Sequence, residues 1–228
     1  MKKEIIVLSI GGSVINDGKA SVEKANYIAG VLKASDYKMG IVVGGGKEAR
    51  EKVKKTLKKG LNQFYADLEA IAVTKKNADV LRKALGKEAG KKIFDNFLDA
   101  VKAIKKQKYV LMGGTIPGIT TDTDAVLLAE AMGAKRLLNI SDSAIYSKDP
   151  KEEGAIKYEY LTFDELISLA QKFDQRQAGT NFIFDLLACK LIKRSKIQTH
   201  FIESKKPQDI LNAIEGKKHD GTVVGELR

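Results

Sequence analysis

Three glycine clusters are the residues in this chain best placed to do chemistry: Gly11-Gly12-Ser13, Gly44-Gly45-Gly46 and Gly113-Gly114. Each comes after a short apolar run, Glu4–Ile10, Gly40–Val43 and Tyr109–Met112 in turn. Glycine lets backbone N–H groups approach phosphate oxygens, and a helix starting behind the loop adds its partial positive charge. One such loop is as well explained by a tight turn. Three at the carboxyl ends of strands converge on one rim of a sheet, where open α/β sheets bind ligands. The convergence predicts a phosphate site, and three loops suit a reaction with two phosphorylated ligands.

Patterns that are missing narrow the chemistry. Gly44-Gly45-Gly46-Lys47 lacks the spacing and the hydroxyl of a P-loop, and there is no G-x-G-x-x-G dinucleotide fingerprint. The two histidines, His200 and His219, lie outside every glycine loop and no Cys/His cluster accompanies them, which argues against metal-hydrolase chemistry. Cys189 sits in the apolar run Phe184–Ile192 and reads as core packing.

The elements that must position these loops are set by periodicity. Helical spacing recurs at Val22, Ala25, Ile28, Val31 and Leu32, at Ala49, Val53 and Leu57, and from Phe64 through Leu85. Further helices are predicted at Val101–Ile104, Asp124–Met132, Phe163–Ala170, Phe184–Arg194 and Asp209–Ile214. Strands are predicted near Arg136–Ile140, His200–Ile202 and Thr222–Val224. Strands alternating with helices imply an α/β fold, a three-layer α/β/α sandwich around a mostly parallel sheet. No linker or repeat interrupts residues 1–228, so one domain is expected, with lobes meeting near residue 122.

Composition bounds the function classes. At 43% hydrophobic and 30% charged over 228 residues, the chain can bury a real core. Forty Lys plus Arg against 29 Asp plus Glu give a net charge of +11, but only six of the basic residues are Arg. The lysines are scattered over helical faces, so a solvated surface is expected rather than a nucleic-acid partner. A single cysteine points to a reducing compartment. The apolar run after Met1 is broken by Glu4 and ended by Gly11-Gly12, and no later run approaches a membrane span. A cytoplasmic protein with no membrane contact is expected.

The glycine loops then extend into longer motifs: Ile10-Gly11-Gly12-Ser13-Val14, Val42–Arg50, and Met112-Gly113-Gly114-Thr115-Ile116-Pro117-Gly118-Ile119-Thr120-Thr121-Asp122. Leu127–Glu130, Ile145–Pro150 and Phe184–Ala188 come next in order. Together these resemble the amino acid kinase superfamily and, within it, the archaeal type of uridylate (UMP) kinase. The resemblance implies transfer of the ATP γ-phosphate to UMP, giving UDP, with Mg²⁺. It puts Gly11, Gly12, Ser13, Gly46 and Arg50 on the ATP phosphates and Ser141, Tyr146 and Asp149 around the adenosine. Gly45 would meet the UMP phosphate, Asp67 the ribose hydroxyls, and Thr115, Ile116, Pro117, Gly118, Ile119, Thr120 and Thr121 would wrap the acceptor. Arg50, Lys47 and Asp185 take the catalytic roles, and no residue is assigned as a metal ligand. A homo-oligomer, hexameric by the family's habit, is implied as well. Read without the resemblance, Asp67 is a solvent-facing helical carboxylate, Asp122 a cap for the helix after it, and Thr120 and Thr121 turn residues.

Two departures from the family pattern stand out. Ser9 occupies a place, two residues before the glycine pair, where many members carry Lys; Lys47 and Lys190 are the candidates to supply the missing charge. The adenosine segment is shortened to Ser141–Tyr146 and has lost its Gly, while Leu186 replaces a usual Pro. These leave two alternatives open: an enzyme of the same fold acting on another small phosphate or carboxylate, and a non-catalytic nucleotide-binding or storage paralogue.

Overall fold

The computed structural model describes residues 4–173 and 184–226. Seven strands form one sheet in the order β3-β2-β1-β4-β6-β7-β5. They are β1 (Ile5–Ile10), β2 (Lys38–Val43), β3 (Tyr109–Met112), β4 (Arg136–Ser141), β5 (Tyr160–Thr162), β6 (Gln198–Glu203) and β7 (Thr222–Gly225). Every neighbouring pair is parallel except β6 with β7. In register, Ile10 of β1 lies beside Val43 of β2 and Ile140 of β4, so the three strands end level. That levelling sets the first two glycine clusters on one rim.

Alternation along β1 sorts the two layers. Ile6, Leu8 and Ile10 face α2 (Val22–Lys33), the long α4 (Gln63–Leu85) and α9 (Pro207–Ile214), joining Ile28, Leu32, Ala78, Leu81 and Ile210 in one core. Val7 belongs to the opposite core, with α5 (Phe97–Ile104), α6 (Thr121–Met132), α7 (Phe163–Phe173) and α8 (Leu186–Ser195). The period-2 rule sends Ser9 to the same side as Val7, toward α6. Cys189 is fully buried in this second core, as its apolar surroundings predict.

The architecture is the predicted α/β one. Three elements among the described residues lie outside the sequence prediction: α1 (Gly12–Ile15), β5 and a short 3₁₀ helix at Gly86–Ala89. The four-residue α1 is too short to show a period, and β5 buries only Leu161. Helix α6 begins at Thr121, three residues before the expected start, because Thr120 caps it.

Candidate functional site

The first two glycine loops touch each other. A Cβ on Gly12 would lie 1.9 Å from the Gly46 nitrogen and 2.5 Å from the Gly45 carbonyl carbon. Gly46 itself sits at φ +65°, and a Cβ there would stand 2.5 Å from the Asn16 carbonyl oxygen. These glycines are therefore required by backbone-to-backbone contact as well as by any ligand.

A buried amide network fixes how the pair sits. Asn77, on the buried face of α4, donates from Nδ2 to the carbonyls of Gly44 (2.9 Å) and Gly45 (3.2 Å) and accepts from Asn16 Nδ2 at 2.9 Å. Asn16 also donates to Glu48 Oε2 at 2.9 Å, and Glu48 Oε1 accepts from Lys76 at 2.9 Å. With those carbonyls held by Asn77, helix α3 (Gly46–Lys58) begins at Gly45 with no side-chain cap. Helices α2, α4, α5, α6 and α8 are capped by Ser21, Asn62, Asn96, Thr120 and Asp185. An uncapped helix start beside a glycine loop has open amides for an anion. Lys47 and Arg50, in the first turns of α3, are both exposed, and Lys47 lies 4.0 Å from Glu51.

The third loop is held to α4 and to three carboxylates. A Cβ on Gly113 would meet Thr74 Oγ1 at 2.6 Å and Lys75 N at 2.7 Å, and Gly114 N donates to Thr74 Oγ1 at 2.7 Å. Thr115 gives both its backbone N–H (3.1 Å) and its hydroxyl (2.5 Å) to the fully buried Asp124. Gly118 N donates to Asp67 Oδ2 at 2.9 Å. The Thr120 hydroxyl donates to Asp185, which also accepts from Thr123 Oγ1 (3.0 Å) and Ala188 N (2.9 Å). Asp67 is thus brought to the Thr115–Thr121 loop, as the resemblance implies, and Ile116 stands exposed at the loop's outer side. One expectation is corrected: Asp122 does not cap α6. Thr120 does, accepting from the N–H groups of Asp122 and Thr123, each at 3.2 Å, because its extended backbone lets the hydroxyl turn back over the first turn.

Asp122 instead points to the sheet. Its Oδ1 accepts from the Ser9 hydroxyl at 2.8 Å and from Asn139 Nδ2 at 3.4 Å. Burial and the neighbouring Asp185 carboxylate push Asp122 up to about 7, against the lowering pull of the Ser9 bond. Burial likewise raises Asp124 to about 6, opposed by its two bonds from Thr115. Lys190 is exposed on α8, like Lys47 on α3.

The shortened donor segment leaves β4 at Ser141, whose hydroxyl donates to the Ser143 carbonyl at 3.1 Å. Thr222 ties it down: its hydroxyl accepts from Ile145 N at 3.0 Å and donates to the Tyr158 carbonyl at 2.6 Å. Tyr146 bridges to Lys157, and the exposed Asp149 carboxylate accepts from Lys151 N at 2.9 Å. A groove of about 490 Å³ runs from Ser13 and Val14 past Tyr27 to Asp142, Ser204 and Lys205. Tyr146 and Asp149 do not line it. The two histidines lie away from all three loops, with their ring nitrogens Nδ1 of His200 and Nε2 of His219 2.8 Å apart.

Sequence reasoning passed over Asn16, Asn77, Thr74 and Asp124. Only Asn77 carried a legible signal, a polar residue four after Val73 and four before Leu81 on an apolar helix face. Asn16 and Thr74 become functional only through partners far along the chain, and Asp124 through Thr115, nine residues before it, a pairing that no periodicity marks.

Glycine loops at the carboxyl ends of parallel strands and an uncapped helix that presents the exposed Lys47 and Arg50 near its start define an α/β phosphate-handling protein. The model of the amino acid kinase family matches residues 4–203, and the chain belongs to that family. It is 40% identical over 222 residues to a uridylate kinase of Archaeoglobus fulgidus, covering 96% of this chain and 99% of that one. It is 38% identical over 223 residues to a uridylate kinase of Pyrococcus abyssi, covering 96% and 98%. The crystal structure of the Archaeoglobus enzyme superposes with a TM-score of 0.85 over 96% of this chain and 99% of that one, at 38% identity. That structure shares the three-layer fold described above.

Proposed function

We propose that the protein is a UMP kinase that moves the γ-phosphate of ATP to UMP, giving UDP and ADP in pyrimidine nucleotide synthesis. The observation that carries this is the third loop, Thr115–Thr121, held against Asp67 and preformed beside the interlocked phosphate loops. A phosphate oxygen of UMP forms the new P–O bond to the γ-phosphorus while the bond to the β-phosphate oxygen breaks. No proton must move, so catalysis reduces to alignment and charge neutralisation.

In this reading Gly12, Ser13, Gly46 and the open start of α3 hold the ATP phosphates, with Arg50 and Lys47 supplying positive charge. Gly45 and Asp67 hold the acceptor. Ser141, Tyr146 and Asp149 face the adenosine, and Asp185 orders the junction between acceptor loop and α8. The part before residue 122 carries the acceptor site and the phosphate loops, and the part after it faces the adenosine.

Mg²⁺ belongs to the proposal. No three His, Cys, Asp or Glu side chains among the described residues converge on an ion. The residues present fit an ion that would arrive with ATP and be held by its phosphate oxygens and water. When bound it would neutralise the β- and γ-phosphates. No helix among the described residues is long and apolar enough to cross a membrane, and a cytoplasmic location is part of the proposal. A homohexamer with UMP and ATP as its partners completes the reading.

The test is a coupled assay of ADP release across UMP, CMP, dUMP and AMP, with calorimetry alongside. UMP turnover well above the others supports the proposal. Turnover only with a different small acceptor replaces it by another member of the fold, and nucleotide binding without turnover makes the protein a non-catalytic paralogue.

A further inference from the structure

The acceptor loop is pinned by carboxylates from three separate elements: Asp67 of α4 in its middle, Asp185 at the start of α8 near its end, and Asp124 of α6 at its beginning. The first two have roles in the proposed function. Asp124 has none, yet its geometry is the most demanding of the three. It is fully buried, and its two oxygens take both donors of one residue, Oδ2 the backbone N–H of Thr115 and Oδ1 the hydroxyl. Buried carboxylates are retained at a cost, and this one is offset by two hydrogen bonds to the same loop residue.

A helix-dipole role does not account for this arrangement. A carboxylate serving only the α6 N-terminus could sit exposed in the first turn, as surface acids do. Asp124 lies inside, on the side of α6 that meets the third glycine loop. Gly114, immediately before Thr115, is fixed from the opposite side by Thr74 Oγ1. The chain between Gly114 and Thr115 is therefore clamped from α4 and from α6 at the point where the loop leaves β3. After that point Ile116 is exposed, Gly118 adopts φ +89° with open space around it, and the next fixed contact is Asp67. The direction of the loop is set at its root.

We propose that Asp124 is a positioning residue for the acceptor: by holding both donors of Thr115 it fixes the root of the Thr115–Thr121 loop and so the acceptor geometry. The inference rests on reading that loop as the UMP site. It also implies that Thr115 has no hydrogen left to give UMP, so it meets the ligand only through its oxygens or its methyl group.

Steady-state kinetics and UMP calorimetry on wild type, Asp124→Asn, Thr115→Val and the double variant test this. Asn keeps the size of Asp but turns an N–H₂ group toward one of the Thr115 donors. The UMP KM of Asp124→Asn is expected to rise about tenfold, with the ATP KM changed less than about twofold. The double variant should be no worse than the poorer single variant, because both remove the same contact. Equal changes in both KM values, additive losses in the double variant, or an unchanged UMP KM would overturn the positioning role. If Asp124→Asn fails to fold, Thr115→Val still decides, since it removes the hydroxyl contact from the half-buried loop side; an unchanged UMP KM there overturns the proposal. Wild type that binds no UMP overturns the acceptor reading itself, which is a different outcome from UMP binding that Asp124→Asn leaves untouched.

Discussion

Replacing Asn77 by Ala should loosen both phosphate loops at once. The side chain makes three hydrogen bonds in a site closed to water, two to the carbonyls of Gly44 and Gly45 and one from Asn16. A net intramolecular hydrogen bond is worth roughly 0.5–1.5 kcal/mol, and a buried partner left unpaired costs roughly 1–3 kcal/mol. Asn16 retains its bond to Glu48, so the three losses do not all count in full, and about 2–4 kcal/mol is the expected sum. For a chain of this size that lowers Tm by roughly 5–15 °C, at about 2–4 °C per kcal/mol. Asn77→Asp should be worse, because it sets a carboxylate against two carbonyl oxygens that no longer have a donor. The functional consequence is separable from the stability loss. Gly12 and Gly46 leave no slack between the loops, so a tilt of the Gly44–Gly46 carbonyls displaces the amides at the start of α3. Scanning calorimetry combined with kinetics well below Tm reads both effects: kcat should fall at least ~10-fold, and the UMP KM should rise as well because Gly45 meets the acceptor phosphate. A Tm within a degree of wild type, or full kcat at room temperature, would refute the idea that Asn77 sets the loops.

Arg50→Ala should lower kcat by about 100-fold or more, as removal of one preorganised transition-state donor does, and Arg50→Lys should recover only part because the planar fork is lost. A fully active Ala variant takes Arg50 out of the donor site. Asp67→Ala should raise the UMP KM about tenfold, corresponding to roughly 1–3 kcal/mol of lost hydrogen bonding, with the ATP KM little changed; equal effects on both substrates count against its acceptor role. Asp122→Asn tests electrostatics through pH. Its folded carboxyl is pushed up to about 7 from an ordinary 3.8, so between those values the folded state holds the extra proton and stability is lost as pH rises. The Asn variant should therefore melt a few degrees higher at about pH 8, with the gain shrinking toward about pH 5, and a gain that is independent of pH speaks against the carboxylate as its cause.

The sheet and its glycine loops were readable because their signals are local. β-branched runs ending in Gly11, Gly44 and Gly113 mark where each strand stops, and the spacing of Ala49, Val53 and Leu57 marks the helix behind the second loop. The contacts that organise the site are not local. Asp67 reaches Gly118 across 51 positions, Thr120 reaches Asp185 across 65, and Ser9 reaches Asp122 across 113. No periodicity encodes such pairs. Thr120 shows the difference at small scale: a Thr-Thr-Asp run offers three good capping residues, and only the backbone path decides that the first of them turns over α6. Asn77 was legible as an anomaly on an apolar face, but its two carbonyl partners were not.

Ser9 alters the charge balance of the site. A Lys at that point in β1 would face Asp122 by the same strand alternation that brings the Ser9 hydroxyl to it. Serine is too short to carry charge there, so it contributes one neutral hydrogen bond to Asp122, with Asp185 and Asp124 near by. The two lysines that sequence reasoning offered in compensation are exposed on α3 and α8, where solvent weakens any field they exert on Asp122. The carboxylates at the junction of α6 and α8 therefore stay under mutual repulsion when the nucleotides are absent. A site in that condition is stabilised by whatever brings positive charge to it. In the proposed reaction, with Ser9 in place of Lys, part of that positive charge would reach the site only with the nucleotides, in the ternary complex where phosphoryl transfer needs it.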